Sequence, residues 1–299
     1  MKKQYKDNLA GYLFISPWIF GFLVFTLGPI LFSLYASFTN YNITSQMDFV
    51  GLSNYSRLFK EDELFYTSMM NTLFFVIFSV PLTTVGAIVL SLMMNQDIPG
   101  MRIFRTIYYL PAVLSGVGVY LLWMQLLDPS TGLVNTALGY IGIDGPNWLL
   151  DPEWTKPSLI FMKLWSVGGS MLLYLASLQG VSKSLYEAAD MDGANRWQKF
   201  RNITLPMITP IIFFDIVTST IGAFQIFQEA YVMSSDGAGS PSNSLLFYNL
   251  YMWLKAFKAF DMGYAMAMSW ILFVLVLILT VINLKLAPRW VHYEGGEDN

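Results

Sequence analysis

The sequence contains no cysteine and little charge. Without cysteine, these 299 residues have no disulfide framework, no thiolate nucleophile and no cysteine-based metal site. Only 12% of the residues are charged, against roughly 25% in a typical soluble domain. The single histidine, His292, lies in a polar tail, so a histidine cluster for catalysis or metal binding is excluded as well. With 55% hydrophobic residues, the composition is typical of a membrane protein.

Charged residues are also absent from long stretches of the chain. None occurs in residues 8–47, 64–96, 106–127 and 262–284, and each stretch exceeds the roughly 20 residues that a helix needs to cross a bilayer. Two further apolar stretches carry only Lys163 in one and Asp215 and Glu229 in the other. A spanning strand would need closure into a barrel and would show alternating polarity, so we predict six helices. They cover residues 11–38, 69–95, 104–127, 157–180, 207–231 and 264–286.

Six spans place both chain termini on the same side of the membrane. The terminal segments and the loops after spans two and four hold eleven Lys and Arg residues, whereas the other three loops hold five. The positive-inside rule therefore predicts that both termini are cytoplasmic. The first span is too long for the apolar part of a signal peptide, and we interpret it as a retained helix. The outer loops, which contain the turn sequences DGPNW and DGAGSPSN, either connect spans or meet an external partner.

The sequence lacks the residues of several catalytic sites. It has no G-x-x-x-x-G-K-[ST] phosphate loop, and Gly116 and Gly118 are interpreted as packing residues within an apolar span. The sequence also contains no arrangement of His, Cys or paired carboxylates that would indicate an enzyme. We therefore predict that the chain binds no cofactor and that any ATP is hydrolysed by a partner.

The most polar internal segment lies on the predicted cytoplasmic side, between spans four and five. Ser184 and Glu187 have the spacing of a capping box, which predicts a helix from about Leu185. Gly193 can end this helix in a left-handed conformation. A second helix is predicted from residue 195, with one buried face formed by Trp197, Phe200 and Ile203.

The first of these helices has the features of a docking element. Ala188 and Ala189 permit close approach of another backbone, and Glu187 and Asp190 offer carboxylates for pairing. From these residues alone, the segment is either a solvated loop or a helix that enters a groove of another protein.

The same segment fits a longer pattern, E-A-A-x3-G-x9-I-x-L-P. All seven fixed positions are filled, by Glu187, Ala188, Ala189, Gly193, Ile203, Leu205 and Pro206. The pattern resembles the EAA motif of binding-protein-dependent ABC importer permeases. Stretches such as FISPWIFGFLVF, FRTIYYLPAV and FQIFQEAYVM are similar to the sugar-uptake branch of that family, the MalF and UgpA type. The resemblance extends over nearly the whole chain.

The resemblance implies an all-α integral membrane protein with six transmembrane helices, the MetI-like fold of type I importers and a cytoplasmic coupling helix. It implies an N-terminal helix and outer loop at 1–66, an ABC transmembrane domain at 67–287 with the coupling loop at 181–206, and a cytoplasmic tail at 288–299. The ATPase would contact Glu187, Ala188, Ala189, Asp190, Gly193, Leu205 and Pro206.

The implied partners are a second homologous permease subunit, a cytoplasmic ATPase dimer carrying ATP and Mg²⁺, an external solute-binding protein, a sugar and membrane lipid, with no nucleic acid.

The charged residues within the spans are costly unless they are paired or wetted, which makes them functional candidates. Lys163 and Asp215 differ in depth by roughly 9 Å at 1.5 Å per residue, too far for a direct ion pair. Either Lys163 extends outward to the interface and Asp215 braces a helix contact, or spans four and five line a sugar pathway, as in the family. The pathway residues would be Met162, Lys163, Trp165, Ser166, Gly169, Ser219, Gly222, Ala223 and Ile226, with Trp165 stacking on a sugar face.

Two other functions stay open at this point. A permease of the same architecture could carry a non-sugar solute, although Lys163 alone does not favour an anion. An ion-coupled carrier would use Asp215 and Lys163 as a relay. The sequence favours a subunit of an ATP-driven importer for a carbohydrate or polyol in the cell membrane.

Overall fold

The computed structural model describes residues 2–42, 47–114 and 116–292, with the backbone alone for residues 2–11. The side chains of Lys2, Lys3 and Lys6, which contribute to the predicted orientation, and the tail after His292 lie outside the described residues. Within the described ranges, the regular structure is helical apart from one bridge between Thr39 and Phe49.

The α-helices are α1 (Lys2–Phe22), α2 (Gly28–Ala36), α3 (Ser53–Lys60), α4 (Glu63–Met94), α5 (Met101–Val113), α6 (Val117–Leu126), α7 (Leu133–Tyr140), α8 (Pro152–Trp165), α9 (Gly168–Gly180), α10 (Lys183–Met191), α11 (Arg196–Lys199), α12 (Leu205–Phe224), α13 (Gln228–Met233), α14 (Tyr248–Trp253) and α15 (Met262–Leu286). Shorter π-helical turns cover Leu23–Leu27, Phe200–Thr204 and Leu254–Lys258, and a 3₁₀ turn covers Ala287–Arg289.

Four helical stretches in the described residues are long and apolar enough to cross a membrane. They are Tyr12–Ala36, Glu63–Met94, Arg196–Phe224 and Met262–Arg289. Two bent pairs add up to two more spans: α5 with α6, which meet at 106°, and α8 with α9, which meet at 44°. Counted in this way, the helices give the six predicted spans, and the all-helical membrane fold is confirmed.

The third span is broken within its apolar run. Gly116 lies between α5 and α6 with φ +88°, a conformation that glycine adopts without steric cost. A Cβ atom added at Gly116 or Gly118 would meet no neighbour within 4 Å. The interpretation of these glycines as packing residues is therefore wrong within this chain, because Gly116 serves the turn instead.

The fifth span ends earlier than predicted. Its helix, α12, stops at Phe224 rather than near residue 231, and α13 begins separately at Gln228. Ile226, between the two helices, is nevertheless only 5% exposed. Apolar residues recur beyond the end of the helix because some of them, such as Ile226, are buried, although the neighbouring Gln225 is exposed. Glu229 consequently lies on α13 rather than in the fifth span.

The chain divides into two compact units, of which the first consists of Met1–Asp62 and Met252–Val274. A polar cluster holds this unit together near the start of α15. Arg57 pairs with Asp261 and lies 3.9 Å over the ring of Tyr264, and the Tyr264 hydroxyl donates to Asp62. Lys255 reaches the same Asp62 carboxylate at 3.7 Å. These contacts fasten the end of α3 to the beginning of α15.

The second unit consists of Glu63–Tyr251 and Leu275–Asn299. Its core forms where α4, α9 and α12 pack together. The buried side chains at this junction are Ala87, Val167, Tyr174, Leu178, Ile208 and Ile212. This three-helix junction sets the positions of the polar groups described below.

A glycine permits the close approach of α9 to α5. A Cβ atom added at Gly168 would clash with the carbonyl oxygen of Tyr108 and would lie 2.8 Å from the Cα of Tyr109. Gly168, the first residue of the sequence GGS, is therefore required for this close approach of the two helices. At Gly169 the added atom would be 3.9 Å from Ala112, an ordinary contact.

Candidate functional site

The EAA segment, residues 183–206, begins with α10. Ser182 occupies the N-cap position without a side-chain capping bond, and its hydroxyl instead contacts that of Ser184 at 2.7 Å. The predicted capping box of Ser184 and Glu187 is therefore wrong, because Ser184 already lies inside the first helical turn.

The helix α10 ends in a Schellman motif. Gly193 has φ +74°, and its N–H donates to the carbonyl of Asp190 at 3.1 Å. The N–H of Ala194 donates to the carbonyl of Ala189 at 2.9 Å. This pair of bonds satisfies two carbonyls that the helix end would otherwise leave open. The prediction that Gly193 ends the helix in the left-handed conformation is confirmed.

The second helix of the segment carries the capping box. The Asn195 side chain accepts from the N–H of Gln198 at 2.9 Å, and the Gln198 side chain accepts from the N–H of Asn195 at 2.7 Å. The Lys199 ammonium pairs with Asp190 at 2.6 Å, which ties α11 to α10. The Tyr186 and Thr204 hydroxyls meet at 2.9 Å. The EAA segment is thus a braced helix–turn–helix rather than a loose loop.

The outer face of this segment combines charge with exposed apolar surface. Glu187, Ala188 and Asp190 are exposed, and Ala189 is half-buried. Met191 is 89% exposed. The carboxylates of Glu187 and Asp190 and the side chain of Met191 are therefore accessible to a partner.

The prediction that the second helix buries a face containing Trp197 is wrong at that residue. Trp197 is 65% exposed and lies against Phe200 with a centroid distance of 5.5 Å. From Phe200 onward the chain follows a π-helical turn, so the regular helical spacing that was assumed does not continue. Phe200 and Ile203 are half-buried, as are Leu205 and Pro206 at the start of α12.

Two pockets lie among the helices of the second unit. The aromatic pocket, of about 270 Å³, is bordered by α6, α8 and the chain around α13. The rings of Trp123 and Trp165 meet in it edge to face with centroids 5.5 Å apart. Glu229 also lines this pocket and is hydrogen-bonded to Tyr120. Of the predicted pathway residues, it contains Met162, Lys163, Trp165, Ser166 and Ile226.

The Asp215 pocket, of about 440 Å³, is bordered by α4, α8, α9 and α12. Of the predicted pathway residues, it contains Lys163, Ser166, Gly169, Ser219, Gly222 and Ala223. Lys163 and Ser166 line both pockets, so the pockets adjoin. Together they collect all nine predicted residues. Lys163 is exposed, and no ion pair with it is found among the described residues.

The Asp215 side chain is 4% exposed and joins three helices. One carboxyl oxygen accepts from the hydroxyls of Thr84 on α4 at 3.0 Å and Tyr174 on α9 at 2.8 Å. The other accepts from Ser170 on α9 at 2.8 Å and from Ser219 on α12 at 3.4 Å. Of the two roles left open by the sequence, bracing a helix contact matches this geometry.

The sequence prediction missed several of these residues. Tyr120 and Trp123 are three residues apart on α6, so their shared face is readable from the helical period. Thr84 and Tyr174 carry no such signal, because their approach to Asp215 depends on how three helices are rotated against one another.

The sequence DGAGSPSN forms a turn around its aspartate, as predicted for a turn sequence. The Asp236 carboxylate accepts from the hydroxyl of Ser234 at 2.6 Å and from the N–H groups of Ala238 at 2.7 Å and Ser240 at 3.3 Å. The Ser234 hydroxyl, with these amides, holds the pKa of Asp236 below its ordinary value. No group of acidic residues or histidine suited to a metal ion occurs in the described part of the chain.

Known sequences resemble this chain over nearly its full length. The profile of the family described as "Binding-protein-dependent transport system inner membrane component" matches residues 8–292. The probable ABC transporter permease protein YesP of Bacillus subtilis (strain 168) is 42% identical over 295 residues, which cover 98% of this chain and 95% of YesP. The lactose transport system permease protein LacF of Rhizobium radiobacter is 36% identical over 291 residues, covering 95% of each chain.

A solved structure has the same fold. A chain of a bacterial alginate ABC transporter, crystallised with a periplasmic protein that holds an alginate pentasaccharide, superposes with a TM-score of 0.85. Its sequence is 27% identical, and the superposition covers 97% of both chains. The likeness therefore concerns the whole chain rather than a shared helix pair.

Proposed function

The chain belongs to the family of binding-protein-dependent transport system inner membrane components, and we propose that it is one permease subunit of an ATP-driven importer for a carbohydrate. The observation that carries this proposal is the exposed, braced EAA segment on a chain of membrane helices. The chain has no phosphate loop of its own, so a partner ATPase supplies ATP hydrolysis.

The EAA segment is the proposed contact with the ATPase. Glu187, Ala188 and Asp190 are exposed and available to a groove, whereas Ala189, Leu205 and Pro206 are half-buried. The Schellman motif at Gly193 sets the angle between α10 and α11. Because the segment is rigid, a force applied to α10 is passed to α12 instead of being absorbed by a flexible loop.

The two adjoining pockets are the proposed sugar pathway. Trp165 supplies an aromatic face for stacking, and Ser166 and Lys163 supply donors to sugar hydroxyls. Few polar groups among aromatic and apolar walls are typical of small-ligand sites. The relatives support a carbohydrate, since their names specify lactose, arabinooligosaccharides and trehalose or maltose.

The proposed assembly contains a second homologous permease, a cytoplasmic ATPase dimer and an external solute-binding protein that meets the outer loops. Both chain termini and the EAA segment lie in the cytoplasm. ATP closes the ATPase dimer and moves the EAA segment, which favours the outward-open state. This change requires that ATP and the loaded binding protein each bind one state more tightly than the other.

Reconstituted uptake tests the function. With the ATPase and binding protein present, ATP drives uptake of a labelled oligosaccharide, and Glu187→Lys abolishes it while the chain stays inserted. A matched control is Asp97→Lys, at an exposed carboxylate between α4 and α5 and outside the EAA segment, which leaves uptake unchanged. Uptake driven by an ion gradient without any ATPase would contradict the proposal and favour a secondary carrier.

The absence of cysteine makes the orientation directly testable. Met191→Cys introduces a thiol at an 89% exposed position. A membrane-impermeant maleimide should label this thiol in inverted membrane vesicles. It should not label the thiol in cells whose cytoplasmic membrane is intact and accessible to the reagent from outside. In Tyr140→Cys the pattern is the opposite. Labelling of both positions from one side would refute the proposed topology.

A further inference from the structure

A third pocket lies at the inner ends of the spans, apart from the two pockets of the proposed pathway. It has a volume of about 830 Å³ and lies between the EAA segment, the beginning of α12 and the segment after α15. We call it the tail pocket. This volume falls within the range of small-ligand sites.

The tail pocket is built by specific contacts of the chain after α15. Val291 is 7% exposed, and the N–H of His292 donates to the Thr209 hydroxyl at 2.8 Å. The ring of Trp290 packs edge to face on Phe213 with a centroid distance of 6.2 Å. The segment is thus folded back against α12 and forms a wall.

The walls of the tail pocket combine basic and apolar side chains. Arg201 and Arg289 line the pocket with exposed side chains, as does His292. None of the described residues that line it is acidic. Apolar surface comes from Ile203 and Ile212 among others. Arginine guanidinium groups are well suited to phosphate because they bind it with paired donors.

The position adds an independent argument. Pro206 and Thr209, near the inner start of α12, and Trp290, just beyond the end of α15, border the same pocket. Tryptophan is enriched at the level of lipid headgroups. Basic pockets between transmembrane helices on the cytoplasmic side favour anionic headgroups.

We propose that the tail pocket binds the phosphate headgroup of an anionic phospholipid of the inner leaflet. Arg201 and Arg289 hold the phosphate, Trp290 lies at the glycerol level, and the apolar wall near Ile212 receives the first part of an acyl chain. The assignment to the inner leaflet rests on the orientation proposed above, whereas the phosphate chemistry does not. The apolar wall favours a lipid over free phosphate, which would leave that wall uncovered.

The test uses the purified full-length chain and does not depend on transport. Phosphatidylglycerol and phosphatidylcholine are offered in equal amounts, and the retained lipid is counted by native mass spectrometry. The wild-type chain should retain phosphatidylglycerol preferentially. The double variant Arg201→Gln/Arg289→Gln should lower this retention about 25-fold, since each basic residue near the surface contributes roughly a factor of five.

Two matched variants separate recognition from misfolding. Arg102→Gln, at an exposed side chain in the first turn of α5 and outside the tail pocket, should retain phosphatidylglycerol like the wild type. Arg201→Lys/Arg289→Lys keeps both charges but loses the paired donors, so its retention of phosphatidylglycerol should lie between those of the wild type and the double glutamine variant.

Equal retention by the wild type and the double glutamine variant would overturn the proposal, as would an equal loss in Arg102→Gln. Displacement of the lipid by millimolar inorganic phosphate would assign the site to free phosphate instead. Oligosaccharide uptake is measured separately, so failure of lipid binding and failure of the proposed transport function are distinguishable.

Discussion

Replacement of Asp215 by alanine removes the shared acceptor of three helices. Thr84 and Tyr174 are 6% and 0% exposed, so water does not readily replace the carboxyl oxygens. Thr84 and Ser170 can turn their hydroxyls to a carbonyl of their own helix, whereas the Tyr174 hydroxyl is too far from its own backbone to do so. The cost is therefore concentrated on the contact with Tyr174.

The magnitude follows from the number of bonds. Hydrogen bonds between membrane helices average about 0.6 kcal/mol and reach about 1.7 kcal/mol. Three short bonds to Asp215, at 2.8–3.0 Å, then correspond to roughly 2 kcal/mol and at most about 5 kcal/mol. Asp215→Asn keeps one carbonyl oxygen as an acceptor and should lose about half as much.

Equilibrium unfolding of the purified chain in mixed micelles measures this loss. Ser219→Ala is the matched control, because its bond is 3.4 Å long, and it should change the free energy of unfolding by less than about 0.5 kcal/mol. In a double-mutant cycle, Asp215→Ala and Tyr174→Phe should couple by about 1 kcal/mol. The bracing role is refuted if the free energy of unfolding of Asp215→Ala is within about 0.5 kcal/mol of that of the wild type. It is also refuted if the effects of Asp215→Ala and Tyr174→Phe simply add in the double variant.

Three further predictions concern single local features. Asn195→Ala removes the capping acceptor and should destabilise the end of the EAA segment by about 1 kcal/mol, measured as faster amide exchange at Gln198; unchanged exchange would contradict the capping box. Gly168→Ala should cost about 1–3 kcal/mol in unfolding free energy because its Cβ meets backbone atoms, whereas Gly169→Ala should cost less than half of that. Because the pKa of Asp236 is depressed in the folded loop, its stabilising contribution is present above the pKa of the unfolded chain and is lost only as the pH falls through the folded value. Protection of the loop from proteolysis should therefore be equal at pH 7 and pH 5, and a loss within that interval would refute the assignment.

The membrane spans are predictable because an uncharged run longer than a bilayer has few alternatives. The breaks within these spans are harder to predict. A buried apolar residue, Ile226, follows Phe224 closely although the helix ends there. Hydropathy reports the burial of such residues and does not report where a helix stops. A glycine inside an apolar span, such as Gly116, can indicate a break in the helix. It can equally indicate a close helix contact, so the sequence does not distinguish the two.

The candidate site shows a similar division. Helical spacing on spans four and five selected eight of the nine pathway residues, and Lys163 was added because of its charge. The structure brings all nine to two adjoining pockets, because residues on one face of a helix need little tertiary information. The hydroxyl partners of Asp215 come from α4 and α9, and their meeting depends on helix rotation and depth. In the EAA segment, Gly193 was predictable because its φ of +74° suits glycine. The cap was not, since Ser182, Ser184 and Asn195 all compete as capping residues.

The bracing of Asp215 bears on how motion would pass through the chain. The stretch Arg196–Phe224 is one long helical span, so α11 and Asp215 lie on the same rod, with Arg196 about 28 Å from Asp215 at 1.5 Å per residue. A displacement of α11 therefore reaches Asp215 without crossing a loop, and the bonds to Thr84 and Tyr174 carry α4 and α9 along. Weakening these bonds lets α12 move alone. In the assembled transporter, Asp215→Ala should then keep ATP hydrolysis while lowering the oligosaccharide taken up per ATP, and a proportional fall of both rates would place the role of Asp215 in stability alone.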